Sequence, residues 1–272
     1  MKEINELKNA YFPQHQDNRM KNEGDVTAAR EYFLTGKNRI LYHLIEQRFS
    51  WMNKYIKASD KMILELGCGA GLSKQFIKSD KLILSDVAEH EWVDKYVDAL
   101  NIDYPDESID VIICSHMIHH ISNPASFLDN VSKKLKPDGR IIIQDIYTCT
   151  LMKIALRLMR HEGWSDSVDI YDRSAVCNNP VDPWSANCSI PKLLFFGKGN
   201  RFEEEFPMYK MIKRTRNECF LFFTSGGVIA KTFSLPIGDN GAKFIQKIDK
   251  GLVKIAPSFF ACGCSIVLQK KR

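Results

Sequence analysis

The chain has 272 residues, enough to bury one full core, and its 26% charged and 44% apolar side chains are those of an ordinary folded globule. A net charge of +5 without a clustered basic stripe argues against a nucleic-acid partner and leaves room for an anionic substrate. Met1–Lys8 is too polar for a signal peptide and no run reaches the ~18 apolar residues of a membrane span, so the expected location is the cytoplasm.

Residues 1–30 are polar and mixed, with a break at Asn22-Glu23-Gly24-Asp25. From Arg39 to Lys57 the apolar residues Ile40, Leu41, Leu44, Ile45, Phe49, Met52 and Ile56 recur at helical spacing. Residues 1–58 therefore read as an N-terminal helical cap ahead of a larger domain, 59–272. Tyr11, Tyr32, Phe33 and Trp51 within the cap are placed to help roof a ligand or to pack in the core, and core packing is the expected role of each.

Ile63-Leu64-Glu65-Leu66-Gly67-Cys68-Gly69-Ala70-Gly71-Leu72-Ser73 reads as a short apolar strand, a turn with three glycines and the start of a helix carrying Leu72, Phe76 and Ile77. Glycines at such a turn let the backbone take positive φ and approach a ligand closely. The helix would aim its free N–H groups at that ligand. Leu72 stands where a dinucleotide fingerprint needs its third glycine, and no Gly-Lys-Ser/Thr follows, so neither a nicotinamide site nor a phosphate-binding P-loop is indicated. Glu65, an acid on the strand before the glycines, suits a cationic ligand.

The second strand, Leu82–Ser85, ends at Asp86, where an acid can accept from two ribose hydroxyls. A minimal crossover leads to a short third strand at Tyr96-Val97, with Asp98-Ala99 at its end, and then to a turn at Tyr104–Ser108. The fourth strand, Ile109–Cys114, runs into Ser115-His116-Met117-Ile118-His119-His120. Asn123-Pro124 caps a helix whose inner face is Phe127, Leu128, Val131 and Leu135, and Lys136–Gly139 separates it from a fifth strand, Arg140–Gln144. This alternation predicts a doubly wound α/β sheet.

Beyond Asp145 the pattern changes. Thr150–Arg160 is an expected helix, and 161–205 an irregular stretch within a long insertion, 147–205, after the fifth strand. Met208–Thr224 looks like strand material with a break near Asn217. A helix over Gly241–Ile255 and a last strand over Phe259–Leu268 complete the chain. Eight scattered cysteines without a Cys-x-x-Cys pair, Cys262-Gly263-Cys264 among them, read as buried free thiols, with no metal expected.

Residues 60–146 resemble the class I S-adenosylmethionine-dependent methyltransferases of the type 11 group. Ile63–Ser73 looks like the family's first motif, Asp86 like its ribose-binding acid, and Asp98-Ala99 with Tyr104–Asp110 like its adenine segment. His119-His120-Ile121 and Leu135–Arg140 resemble later landmarks, with Asp138 where the family most often has glycine. The resemblance implies a Rossmann-like sheet of seven strands with an antiparallel last strand, and S-adenosylmethionine as cofactor with S-adenosylhomocysteine as product. It implies that Glu65 and Gly67 face the methionine end, Asp86 the ribose and Asp98-Ala99 the adenine. Cys68, Gly69, Gly71, Val87 and Ser115 complete the expected cofactor set.

The expected reaction is methyl transfer to an oxygen or nitrogen of a small molecule or saccharide. A hydroxyl acceptor needs a base within hydrogen-bond reach. His116 is the first candidate, with Asp145 second, while His119 and His120 read as structural. The acceptor is expected over the fourth and fifth strands, against His116, Tyr147, Trp184 and Arg173, with Trp164 and Tyr171 nearby. Two other readings share the cradle. An aminopropyltransferase would favour paired acids in a cleft near the fourth strand, which are not seen, and a regulatory protein would bind the cofactor without turnover. A nucleic-acid methyltransferase would usually carry Asn/Asp-Pro-Pro-Tyr/Phe where this chain has Cys114-Ser115-His116-Met117.

Overall fold

Short apolar runs pairing side by side build the centre of the molecule. The computed structural model describes residues 10–12, 25–160, 162–178, 185–228 and 234–272. Seven strands form one sheet: β1 (Ile63–Leu66), β2 (Leu82–Asp86), β3 (Lys95–Tyr96), β4 (Ile109–Ser115), β5 (Leu135–Ile146), β6 (Tyr209–Asn217) and β7 (Gly263–Lys270). Their order is β3-β2-β1-β4-β5-β7-β6. The first five run parallel, and β7 lies antiparallel between β5 and β6. From β1 the order runs outward in both directions, so the loops after β1 and β4 part and leave a crevice at their carboxyl ends.

Alternate residues of the strands serve two cores, as the pleat requires. Ile63, Leu82, Leu84, Val111, Ile113 and Ile142 face α1 (Val26–Leu34) and α2 (Arg39–Met52). Leu64, Leu66, Ile112, Cys114, Ile141 and Ile143 face the opposite layer, which holds α3 (Pro124–Lys134) and α4 (Thr150–Met159). Asn123 caps α3 through Ser126 N, with Pro124 in the first turn, as the sequence indicates.

Four expectations change. The helix after Gly71 is a single 3-10 turn, Leu72–Gln75, because the stretch before Leu82 is too short for a full helix and its return. The N-terminal helices fill the space instead, with Phe33, Tyr42 and Phe49 packed around the Phe76 ring at 6.2, 5.3 and 6.0 Å. The stretch 161–205 is not wholly irregular: it contains α5 (Ile190–Phe196) and α6 (Arg201–Glu205), and Trp164–Ser165 pairs with Ala10–Tyr11.

The strand material over 208–224 stops at Asn217. Glu218 takes a positive φ of 57°, and the chain turns into α7 (Phe220–Thr224). The Asp249 carboxylate of α8 (Asp239–Ile255) accepts from the N–H groups of Cys219, Phe220 and Leu221, which holds that turn. The last strand begins only at Gly263, after a helical turn at Pro257–Phe260. Among the described residues no helix is long and apolar enough to cross a membrane.

Candidate active site

β1 carries the chain to the carboxyl edge of the sheet, where Gly67, Gly69 and Gly71 all take positive φ, at 66°, 50° and 62°. Their surroundings differ. A Cβ on Gly67 would stand 2.5 Å from Met117 Cγ, and one on Gly71 2.4 Å from Trp92 Cδ1. A Cβ on Gly69 would meet nothing within 4 Å. The outer two glycines therefore admit packed neighbours, while the middle one presents bare backbone to open space. That is the surface a close-fitting small molecule requires.

Asp86 supports this loop from β2. Its Oδ2 accepts from Gly69 N at 2.8 Å and its Oδ1 from Ala88 N at 3.1 Å, leaving lone pairs on both oxygens. Val87, beside it, is 46% exposed. Asp98 follows β3 and accepts from Leu100 N at 2.8 Å, and Ala99 is half-buried. Ser115 is half-buried at the end of β4. All of these residues thus sit at or beyond the carboxyl ends of β1 to β4.

Beneath the loop, Glu65 is 2% exposed and accepts from the Ser73 hydroxyl. Burial, and to a lesser degree the Asp86 charge, push its carboxyl up to about 8 against the Ser73 hydrogen bond. Burial and the same two acids push the Cys68 thiol far above its ordinary range, which makes it an unreactive group.

A wall on the far side of the cradle was not foreseen. Trp92 donates through Nε1 to Gly69 O at 2.8 Å, and Arg30 of α1 donates to Ala70 O at 2.7 Å. The Arg30 guanidinium lies 4.7 Å above the Trp92 ring, and His90 stacks on that ring at 4.7 Å and 4°. The only sequence signal was a tryptophan in a crossover too short for a helix.

Where the acceptor is expected, His116 takes φ 53° directly after β4, a conformation few non-glycine residues adopt, and is tied by its N–H to Gln144 O at 2.7 Å. The residue is half-buried, but its Nε2 is closed from solvent and has no hydrogen-bond partner among the described residues. Burial first, and then the Arg48 charge, hold the imidazole neutral. Phe222 of α7 stacks on it at 6.4 Å. Behind it Arg48 forms a buried two-pronged pair with Glu218 at 2.9 and 2.6 Å, and Gln144 donates to Glu218 at 3.0 Å.

Asp145 is placed differently from a free base. It is fully buried and accepts from Ile118 N, Ile146 N and His119 Nδ1 at 2.9, 2.7 and 2.5 Å. Burial alone would lower the His119 imidazole, but Asp145 and then Glu162 outweigh it and raise it to about 10. Burial and the His119 charge lower His120 to about 4. Asp145 therefore holds His119 and its turn in place.

The other expected acceptor residues scatter. Tyr147 is buried against Phe196 at 5.1 Å, beneath the Arg216 guanidinium at 5.1 Å. Arg173 is drawn to the surface of α3, where it pairs with Asp129 at 3.1 Å and Glu205 at 2.7 Å. Trp164 is buried under Lys153 and Arg157, and Tyr171 donates to Leu194 O. Trp184 lies outside the described residues. All eight cysteines are buried and free.

Comparison with known proteins agrees with this geometry. Residues 38–151 match the family model described as a methyltransferase domain. The mitochondrial ubiquinone biosynthesis O-methyltransferase of Schizosaccharomyces pombe is 22% identical over 142 residues, covering 44% of this chain and 52% of that protein. The ubiquinone biosynthesis O-methyltransferase of Saccharophagus degradans is 24% identical over 136 residues, 44% of this chain and 58% of that one. The chain thus spans about half the length of the curated relatives it matches. The crystal structure of a SAM dependent methyltransferase from Archaeoglobus fulgidus superposes with a TM-score of 0.50 at 20% identity, over 88% of this chain and 99% of that one, and shares the fold. Residues 38–151 thus match a methyltransferase domain, and the sheet around them has the strand order and fold of the S-adenosylmethionine-dependent enzyme it superposes on.

Proposed function

We propose that the protein methylates a hydroxyl oxygen of a small molecule or saccharide, a nitrogen acceptor being the alternative within the same chemistry. The observation that carries this reading is the His116 Nε2, a buried proton acceptor directly after β4 with no hydrogen-bond partner among the described residues. Two relatives at 22% and 24% identity are O-methyltransferases by name, which supports the same reading.

The cofactor supplies a methyl group on a positively charged sulfur, ready for in-line displacement. Glu65 and the Gly67–Gly71 backbone would hold its methionine end, Asp86 its ribose, and Asp98 with Ala99 its base. His116 would take the acceptor's proton on Nε2, which raises oxygen nucleophilicity without charging the buried site beforehand. The strained turn fixes that ring, and Phe222 excludes water from one of its faces. Alignment of the reactants supplies most of the remaining advantage.

The test follows a methyl label from S-adenosylmethionine into panels of phenols, sugars and amines. His116→Ala should lower kcat by roughly 10²–10⁴-fold with a hydroxyl acceptor while S-adenosylhomocysteine affinity holds. Tight S-adenosylhomocysteine binding with no label leaving the cofactor in any panel would favour the regulatory reading instead.

A further inference from the structure

One cluster outside the cofactor cradle brings three ligating atoms together. His119 Nε2, His120 Nε2 and a carboxylate oxygen of Glu162 all lie within 4.8 Å of one another. Glu162 Oε1 is 3.8 Å from His119 Nε2 and 4.0 Å from His120 Nε2. These separations are too long for hydrogen bonds. Two ligands held about 2.0–2.2 Å from one tetrahedral ion stand roughly 3.3–3.6 Å apart. The two histidine–carboxylate separations need to close by roughly 0.2–0.7 Å for the atoms to share an ion.

The ring tautomers agree with that use. His119 Nδ1 is bound by Asp145 Oδ1, and His120 Nδ1 faces the Ser185 carbonyl oxygen at 3.2 Å. With an oxygen acceptor at each Nδ1, a proton stays there and each Nε2 faces Glu162, so an ion binding His119 displaces the second proton that its ring carries without metal. A carboxylate or carbonyl behind each imidazole is the usual support of a metal-binding histidine. Cys188, fully buried, donates through its thiol to the other Glu162 oxygen at 3.1 Å. His120 and Glu162 each make at least one further interaction.

The elements explain what an ion would do. His119 and His120 form the turn after β4, while Glu162, Ser185 and Cys188 belong to the insertion that follows α4. We propose that His119, His120 and Glu162 bind one divalent transition-metal ion, zinc by ligand type, which fastens the insertion to the carboxyl end of β4. Nitrogen and carboxylate ligands with a thiol beside them suit zinc better than magnesium or calcium, which want all-oxygen sites. This is a positioning role, and it holds whether or not the protein turns over.

The test uses the full chain. Metal is measured in the purified protein, then stripped with a chelator, and the stripped protein is titrated with zinc and with cobalt(II). One zinc per chain, bound below about 1 µM, is expected, with a visible cobalt band of tetrahedral intensity. His120→Ala and Glu162→Gln should each weaken zinc by at least about 100-fold while S-adenosylhomocysteine affinity stays within about twofold. Failure of the stripped wild-type chain to bind zinc or cobalt at tens of micromolar would overturn the proposal, and that measurement does not depend on either variant folding. So would stoichiometric binding that survives both substitutions, because the ion would then lie elsewhere.

Discussion

Glu65 links the cofactor cradle to pH in a way that can be worked through. Its carboxyl has an ordinary value of 4.5 and is held near 8 by burial. The folded-state value lies above the unfolded one, so the group adds stability that is complete below about 4.5 and lost as pH rises through about 8. Over the whole window the shift corresponds to about 5 kcal/mol at 1.36 kcal/mol per unit, a ceiling for one buried acid. Between pH 6 and pH 9 the same relation removes about 3 kcal/mol. Glu65→Gln keeps an oxygen to accept from Ser73 and has no proton to lose. We expect denaturant unfolding of the wild type to lose about 3 kcal/mol more than the variant between pH 6 and pH 9, with other titrating groups cancelling in the comparison. If Glu65 holds the cofactor's methionine end as proposed, the bound positive charge would draw off its proton. Titration calorimetry near pH 7 in buffers of differing ionisation enthalpy should then show proton release in the wild type and less in the variant. Parallel stability curves over that range would show that Glu65 titrates as an ordinary exposed acid, and the account of the cradle's electrostatics would fail.

Gly69→Ala should fold, since nothing lies within 4 Å of the new Cβ, at a cost of roughly 1–2 kcal/mol for positive φ, yet should lose more than tenfold in S-adenosylhomocysteine affinity by calorimetry. Glu218→Gln should destabilise by about 3–5 kcal/mol in urea unfolding, because the Arg48 charge is left buried without its partner. Arg173→Ala should change stability by less than about 1 kcal/mol, as its ion pairs are largely exposed. A rise in acceptor KM in that variant, with unchanged S-adenosylhomocysteine affinity, would instead return Arg173 to the acceptor site.

The sheet was legible because its parallel strands are short apolar runs separated by turn residues, and Gly67, Gly69 and Gly71 announce their conformation in their own identity. Asp86 could be placed for the same reason: it ends a strand. What escaped depends on partners far away in sequence. Nothing local in Leu72–Gln75 says that α1 and α2 will occupy the space of the missing helix, and nothing near Trp92 announces Arg30 above it. Phe220–Phe223 is as apolar as a strand, and it becomes helix because Asp249 collects the three amides that begin the turn. Asp145 looks like a free acid after a strand, and only the fold shows it committed to His119. Arg173 is expected at the acceptor for its place in the long insertion, but acids on α3 and α6 pair with it.

The position of β7 also bears on how the molecule is made. β6 leaves the ribosome first, yet it must stand one strand's width away from β5, leaving a slot that Gly263–Lys270 enters last. More than a hundred residues separate Ile146 from Gly263, so at ~5–20 residues per second the β5 edge waits roughly 5–25 s for its neighbour. During that time Ile141, Ile142 and Ile143, fully buried in the finished sheet, border an edge of unpaired backbone that any other strand can join. A chain cut short before Gly263 keeps that edge for its lifetime. Truncation there should therefore give aggregates even though every residue of the cofactor cradle is present, and the closing strand acts as the molecule's own guard against self-association.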